Sequence, residues 1–263
     1  MMNKLIDASR LALDIAYSLA DFPLALHSLV LRARYGSMTK ANKDIEGTHT
    51  GERCFVLGGG PSLRTVDLGR LAKEDVISVN MLYRWDSFAE LTPAFHCAID
   101  PGMYIGDIGD SLLEQIRSRP ETRFLLSAKA PKVFTEHRNV NVVSLGYLPS
   151  SLCRPYDISK PSAAFINVVL FAIELALYMG YSEIVLLGCD FSQFASRIDA
   201  HAYEEEDAVR QCTLFDDLQG HSIALMQHEW LRRECERKGV RVVNATEGSM
   251  LDVWPVVDLG DVF

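Results

Sequence analysis

From Gly51 onward, short apolar runs rich in β-branched residues alternate with helix-like segments, and this alternation limits the fold more than any single motif. The runs are Cys54–Leu57, Val76–Val79, Phe95–Ile99, Arg123–Leu126, Val140–Leu145, Glu183–Leu187 and Val240–Val243. Strands separated by helices pair in parallel, because the chain must cross a face of the sheet before the next strand begins. The predicted fold is α/β, a Rossmann-like, mostly parallel sheet covered by helices. In open sheets of this kind ligands bind beyond the carboxyl ends of the strands. The residues just after the runs are polar: Gly58–Ser62, Asn80, Asp100, Ser127, Asp190 with Ser192, and Asn244 with Thr246.

With 263 residues, 48% of them hydrophobic, the chain can bury one good core and a small appendage. A formal charge of −9 and the lack of a long basic run argue against nucleic acid as a partner. The six cysteines form no C-x-x-C pair and several sit inside apolar runs, so they read as reduced, cytoplasmic and not metal-binding. The N-terminus has no basic start followed by a short apolar block and a small-residue cleavage site, and a cytoplasmic location is expected. The longest apolar run, Ala163–Met179, contains Asn167 and Glu174 and is short for a bilayer span, which makes it a buried helix.

Residues 1–46 differ from the body, residues 47–263. Leu5, Leu11, Ile15, Leu19, Leu24, Leu26, Leu29, Val30 and Leu31 recur at near-helical spacing, interrupted at Pro23, among Lys4, Arg10, Arg32, Arg34, Lys40 and Lys43. This N-terminal helical segment has two readings. It packs on the core or on a second subunit, making a homo-oligomer, or it lies on an anionic membrane as an interfacial helix at the inner face of the cytoplasmic membrane. Residues 37–51 are polar and read as a linker.

In Arg53–Leu63 an apolar strand breaks into Gly58, Gly59 and Gly60, then into Pro61 and Ser62. Glycines let backbone N–H groups approach an anion, and Ser62 can cap the next helix, whose N-terminus favours negative charge. The segment fits neither G-x-G-x-x-G nor the Walker pattern, and a tight βα turn without a ligand is the other reading. Asn80 suits a base or sugar edge, or a helix cap; Asp100, before Pro101, suits sugar hydroxyls or opens a turn. Asp190 follows a third strand. His221, in Gly220-His221-Ser222, is placed near a helix start, where the dipole disfavours imidazolium and keeps the ring available as a general base. His228, two turns later, and His201 are weaker candidates, and residues 204–207 read as a solvated acidic loop. No H-E-x-x-H or similar metal cluster occurs.

Taken in order, Gly-Gly-Pro-Ser-Leu, Val-Asn80, Ile-Asp100-Pro, Gly-Cys-Asp190-Phe and Gly220-His221-Ser222 resemble the bacterial CMP-sialic-acid-dependent sialyltransferases of glycosyltransferase family 42. They also resemble the related domain of motility-associated flagellin glycosyltransferases and 6-hydroxymethylpterin diphosphokinase-like proteins, and Val-Val-Asn244-Ala-Thr-Glu-Gly248 is closer to that branch. The resemblance covers residues 52 to about 250. It implies a variant of the glycosyltransferase-A fold and inverting transfer of a sialic-acid-like sugar from a CMP-activated donor to a glycan or lipid-linked acceptor. It implies no metal and no further cofactor.

By the resemblance His221 is the general base. Gly58–Ser62 form the nucleotide-phosphate loop, Asn80 contacts cytidine or phosphate, and Asp100 contacts the donor, with Ser127 and Asp190 at neighbouring strand ends. The chain departs from the family in three places. Gly59 stands where the family has Asn, Lys160-Pro161-Ser162-Ala163 replaces Thr-Ser-Gly, and Ser192 stands where a leaving-group tyrosine is expected, with Tyr203 or Lys160 as its substitutes. A rival enzyme reading is a diphosphokinase transferring pyrophosphate from ATP, with Asp100 and Asp190 holding Mg²⁺. A third is a nucleotide-binding module without chemistry.

Overall fold

A computed structural model describes residues 29–147, 157–195, 201–203 and 213–263, together with isolated helical positions between 8 and 19. Cys153, Cys212, the acidic residues 204–207, and Lys4, Leu5, Arg10, Pro23, Leu24 and Leu26 lie outside the described residues.

The strands are β1 (Arg53–Leu57), β2 (Asp75–Val79), β3 (Phe95–Ala98), β4 (Arg123–Ser127), β5 (Val140–Val143), β6 (Leu145–Tyr147), β7 (Ser162–Ala163), β8 (Glu183–Leu187) and β9 (Arg241–Asn244). Seven form one sheet in the order β5-β4-β3-β2-β1-β8-β9, with every neighbouring pair parallel. The run predicted as Val140–Leu145 divides at Ser144, and its end pairs with β7 in a separate two-stranded sheet.

Side-chain alternation divides the core into two layers, one on each face, as expected for strands covered by helices on both sides. Cys54 and Val56 of β1 join Ile77, Cys97, Leu125, Ile184 and Leu186 on one face. Phe55 and Leu57 join Phe124, Leu126, Val185 and Leu187 on the other. The four described cysteines, Cys54, Cys97, Cys189 and Cys235, are free and buried, packing as small apolar side chains.

The helices are α1 (Gly106–Ser118), the single turn α2 (Lys132–Thr135), α3 (Val168–Met179) and α4 (Leu214–Lys238). The apolar run does form a buried helix: from Val169 to Met179 every residue of α3 is buried, Glu174 included. Asn167 caps its start by accepting from Val169 N–H, and Gly180, at φ +92°, stops it. Among the described residues no helix is long and apolar enough to cross a membrane.

Residues 29–39 are helical and run into a 3₁₀ turn, Lys40–Ile45. The polar residues read as a linker are built into the body. Thr39 donates to Ser159 O, and the buried Asn42 donates to Val142 O and Ile158 O while accepting from Asn141. Their polarity satisfies backbone carbonyls at the sheet edge rather than water. In contrast Leu11, Ile15, Leu19, Leu29 and Val30 are exposed.

Candidate active site

The sheet order fixes where a ligand can bind. From β1 the chain builds outward through β2, β3, β4 and β5, then returns to place β8 and β9 on the other side of β1. Connections leaving β1 and β8 therefore diverge, and the crevice this opens at the carboxyl ends is the switch point where open α/β sheets bind ligands. A cleft of about 490 Å³ lies there. Of the residues expected at a site, Gly58, Gly59, Asn80, Asp100, Asp190, Tyr203 and His221 line it. Six others do not. Gly60, Pro61 and Ser62 follow Gly59 but are not part of the lining. Ser127 accepts from Lys129 N–H and its own N–H donates to the Tyr104 hydroxyl. Lys160 pairs with Asp157 at 2.6 Å, and Ser162 donates to the buried Glu174.

The glycine loop is closed more tightly than a bare phosphate cradle. Gly58 N–H donates to Leu187 O and Gly60 N–H to Gly188 O, both at 2.8 Å, extending the β1–β8 ladder past the strands. Ser62 does not cap a helix with its hydroxyl. Its N–H donates to Asp190 Oδ1 at 3.1 Å and its Oγ–H to Asp190 Oδ2 at 2.7 Å. Asp190 thus supplies the negative charge that the turn at Pro61 favours. A Cβ on Gly60 would lie 1.8 Å from Asp190 Oδ2 and 2.6 Å from Gly188 O, so only glycine fits. On the outer side Ala202 N–H donates to Gly59 O, and Arg64 donates to the carbonyls of His201 and Ala202. This strap stacks the rings of His201 and Tyr203, 4.8 Å apart, above Gly59. Beneath, Thr246 Oγ1 accepts from Cys189 N–H, Ser249 donates to Cys189 O, and Asn244 orders Ser249, Leu251 and Thr246. The polar Asn244–Thr246 stretch therefore braces the Gly188–Asp190 turn.

His221 is not at a helix start. Thr213 and Asp216 form a reciprocal capping box that starts α4 at Leu214, so His221 lies two turns in, beyond reach of the terminal dipole. A hydrogen bond sets its tautomer instead. Nδ1 donates to Asp217 O at 2.8 Å, which places the lone pair of the neutral ring on Nε2. Nε2 lies 3.3 Å from the oxygen of the Gln193 amide, so a lone pair on Nε2 is complemented only with that amide turned by half a rotation to present its NH₂. The ring is held edge-on by Phe191 and Phe194 at centroid distances of 4.7 and 5.1 Å.

Backbone strain converges on the same cleft. Among the described residues only Asn80 (φ +46°) and Phe191 (φ +56°) are non-glycine residues with positive φ, and both line it. A bulky aromatic in that region is costly and persists where surrounding structure imposes it. Asn80 Oδ1 is buried without a hydrogen-bond partner. Asp100 accepts from Gly102 N–H at 2.7 Å, the turn-opening role that Asp-Pro suggests. Phe191 and Gln193 carry no local sequence signal of their place beside His221, whereas Thr213-x-x-Asp216 is a legible start signal that places His221 inside the helix.

Among the described residues one group suits a metal ion: His49, Glu52 and Asp75, whose ligand atoms lie within 4.8 Å of one another. Glu52 precedes β1 and Asp75 opens β2, so the group is at the opposite end of the sheet from the cleft. There Asp75 accepts from the Tyr181 hydroxyl and His49 stacks on Tyr181.

No family model matches the chain, and no curated protein matches it in sequence. Among solved structures, the MAf glycosyltransferase from Magnetospirillum magneticum AMB-1 is similar with a TM-score of 0.52 at 16% identity, over 85% of this chain and 38% of that one. The sialyltransferase CstII from Campylobacter jejuni, solved with the substrate analogue CMP-3FNeuAc, gives a TM-score of 0.48 at 16% identity, over 78% of this chain and 86% of that one. At such identity the likeness to the MAf enzyme is one of fold, and it agrees with the Rossmann-like sheet.

Proposed function

We propose that the protein is a glycosyltransferase that moves a sugar from a nucleotide-activated donor to a hydroxyl acceptor, with His221 as general base. The observation that carries this reading is His221 itself, an imidazole fixed by the Asp217 carbonyl with its Nε2 lone pair in a cleft at the switch point of the sheet. An acceptor hydroxyl taking the place of the Gln193 amide gives its proton to Nε2, its oxygen bonds to the anomeric carbon, and the bond from that carbon to the donor phosphate breaks. The nucleotide leaves with the electron pair, and attack from the opposite face inverts the anomeric centre.

The donor on this reading is a CMP-activated, sialic-acid-like sugar, and the acceptor a glycan or lipid-linked sugar. Support comes from the ordered family resemblance and from the likeness in fold to the MAf glycosyltransferase. Tyr203, which lines the cleft above Gly59, suits leaving-phosphate stabilisation better than Lys160, which is paired with Asp157 away from the lining. The diphosphokinase reading has the less specific support. Both oxygens of Asp190 accept from Ser62 and one of Asp100 from Gly102, so each carboxylate has a structural task in its turn besides any Mg²⁺ it would hold.

The test is a thermal-shift panel of CMP, CDP, UDP, GDP and ATP with and without Mg²⁺, because a ligand at a hundred times its Kd adds about 2.7 kcal/mol of stability. Stabilisation by CMP in chelator is expected. Stabilisation by ATP only with Mg²⁺ transfers the assignment to the diphosphokinase, and CMP binding with no donor breakdown leaves a non-catalytic module.

A further inference from the structure

His221 and His228 lie seven residues apart on α4, two turns along one face, and both line the cleft. Their protons reside on opposite nitrogens. His221 donates from Nδ1, leaving a lone pair on Nε2. His228 Nδ1 lies 3.0 Å from Trp254 Nε1. An indole N–H only donates, so His228 Nδ1 must accept, and the proton of its neutral ring is carried by Nε2. That Nε2–H has no hydrogen-bond partner, on a side chain with no exposed surface. Burial keeps the ring neutral by pushing its pKa down to about 3. Phe191, in its strained left-handed conformation, packs edge-on against both imidazoles, with the His228 ring 6.1 Å away.

A buried donor without a partner is costly to keep, and one retained beside a binding cleft calls for a function. Asn80 Oδ1 is a second unpartnered polar atom of the same lining. Together they offer one donor and one acceptor. We propose that His228 is a ligand-reading residue whose Nε2–H donates a hydrogen bond to an oxygen of the bound nucleotide, in a tautomer set by Trp254. The two histidines of α4 thus have complementary tasks: His221 accepts a proton, and His228 donates a hydrogen bond without transferring one. Because the group is shielded from bulk water, solvent does not compete for that bond. The inference rests on the transferase reading only for the identity of the nucleotide.

The experiment is nitrogen-15 NMR of the full chain labelled at histidine, titrated with CMP, UDP and ATP, the last with and without Mg²⁺. In the free protein His228 is expected as the Nε2–H tautomer and His221 as the Nδ1–H tautomer, with saturating CMP shifting the His228 Nε2–H resonance. Trp254→Phe removes the lock while leaving both histidines in place. It is expected to populate both His228 tautomers and weaken CMP roughly 3- to 10-fold, the span of one neutral hydrogen bond. A proton on His228 Nδ1, or saturation by CMP without a His228 shift, overturns the inference and leaves the transferase reading intact. A shift with Mg-ATP and none with CMP overturns the transferase reading and keeps His228 as a nucleotide reader. Binding of none of the three nucleotides overturns both.

Discussion

Gly60 shows how one residue ties the loop to the sheet. The space a Cβ would fill is taken by the Asp190 carboxylate and the Gly188 carbonyl, and the carboxylate is held there by Ser62. Gly60→Ala must displace Asp190 and thereby break two bonds to a charged acceptor. A loss of about 1–3 kcal/mol in urea unfolding is expected, as for other overpacked sites, together with loss of nucleotide binding. An unchanged midpoint would show that the loop yields freely. The sequence marked this loop as a site, but the partner of its serine, 128 residues away, could not be read from local pattern.

At the scale of elements, α3 buries a carboxyl on every side. Glu174 accepts from Ser162, and burial raises its pKa to about 8 from an ordinary 4.5. The folded protein therefore holds a proton that the unfolded chain has released between these values, and stability contributed by this group falls as pH rises from about 4.5 to 8. Glu174→Gln keeps an acceptor for Ser162 and removes the titration. Relative to the parent, the variant should gain on the order of 1 kcal/mol per pH unit between pH 6 and 8, read from urea unfolding at each pH. Parallel profiles would place an ionised carboxylate in the core. The seven strands of the main sheet and the buried helix α3 were legible because alternation and apolar runs are local signals, as β1 and α3 show; α1 was not read, and α4 was legible only from about His221 onward. The packing of residues 37–51 was not, since Asn42 and Thr39 look solvated until the carbonyls they satisfy are known. Nor was the tautomer of His221, which depends on where α4 begins.

For the whole molecule, residues 1–46 join a buried end, at Leu31, Thr39, Asn42 and Ile45, to exposed apolar positions at Leu11, Ile15 and Leu19. These three recur every four residues, and Arg32 and Arg34, later in the segment, are also exposed. This pattern suits contact with an anionic membrane surface. Full-length protein is expected to float with anionic vesicles, and a variant lacking residues 1–28 to lose flotation while melting unchanged. Lower melting without any flotation of the parent would instead assign the segment to packing. The central claim concerns the cleft, and the most direct measurement is release of CMP from a CMP-activated nonulosonate, in chelator, by the parent and by His221→Ala. Turnover by the parent is predicted, with a fall of roughly 10²- to 10⁴-fold in the variant at nearly unchanged CMP affinity, as expected when one positioned proton acceptor is lost. A variant that retains turnover within a few-fold, or one that loses CMP binding instead, would contradict it.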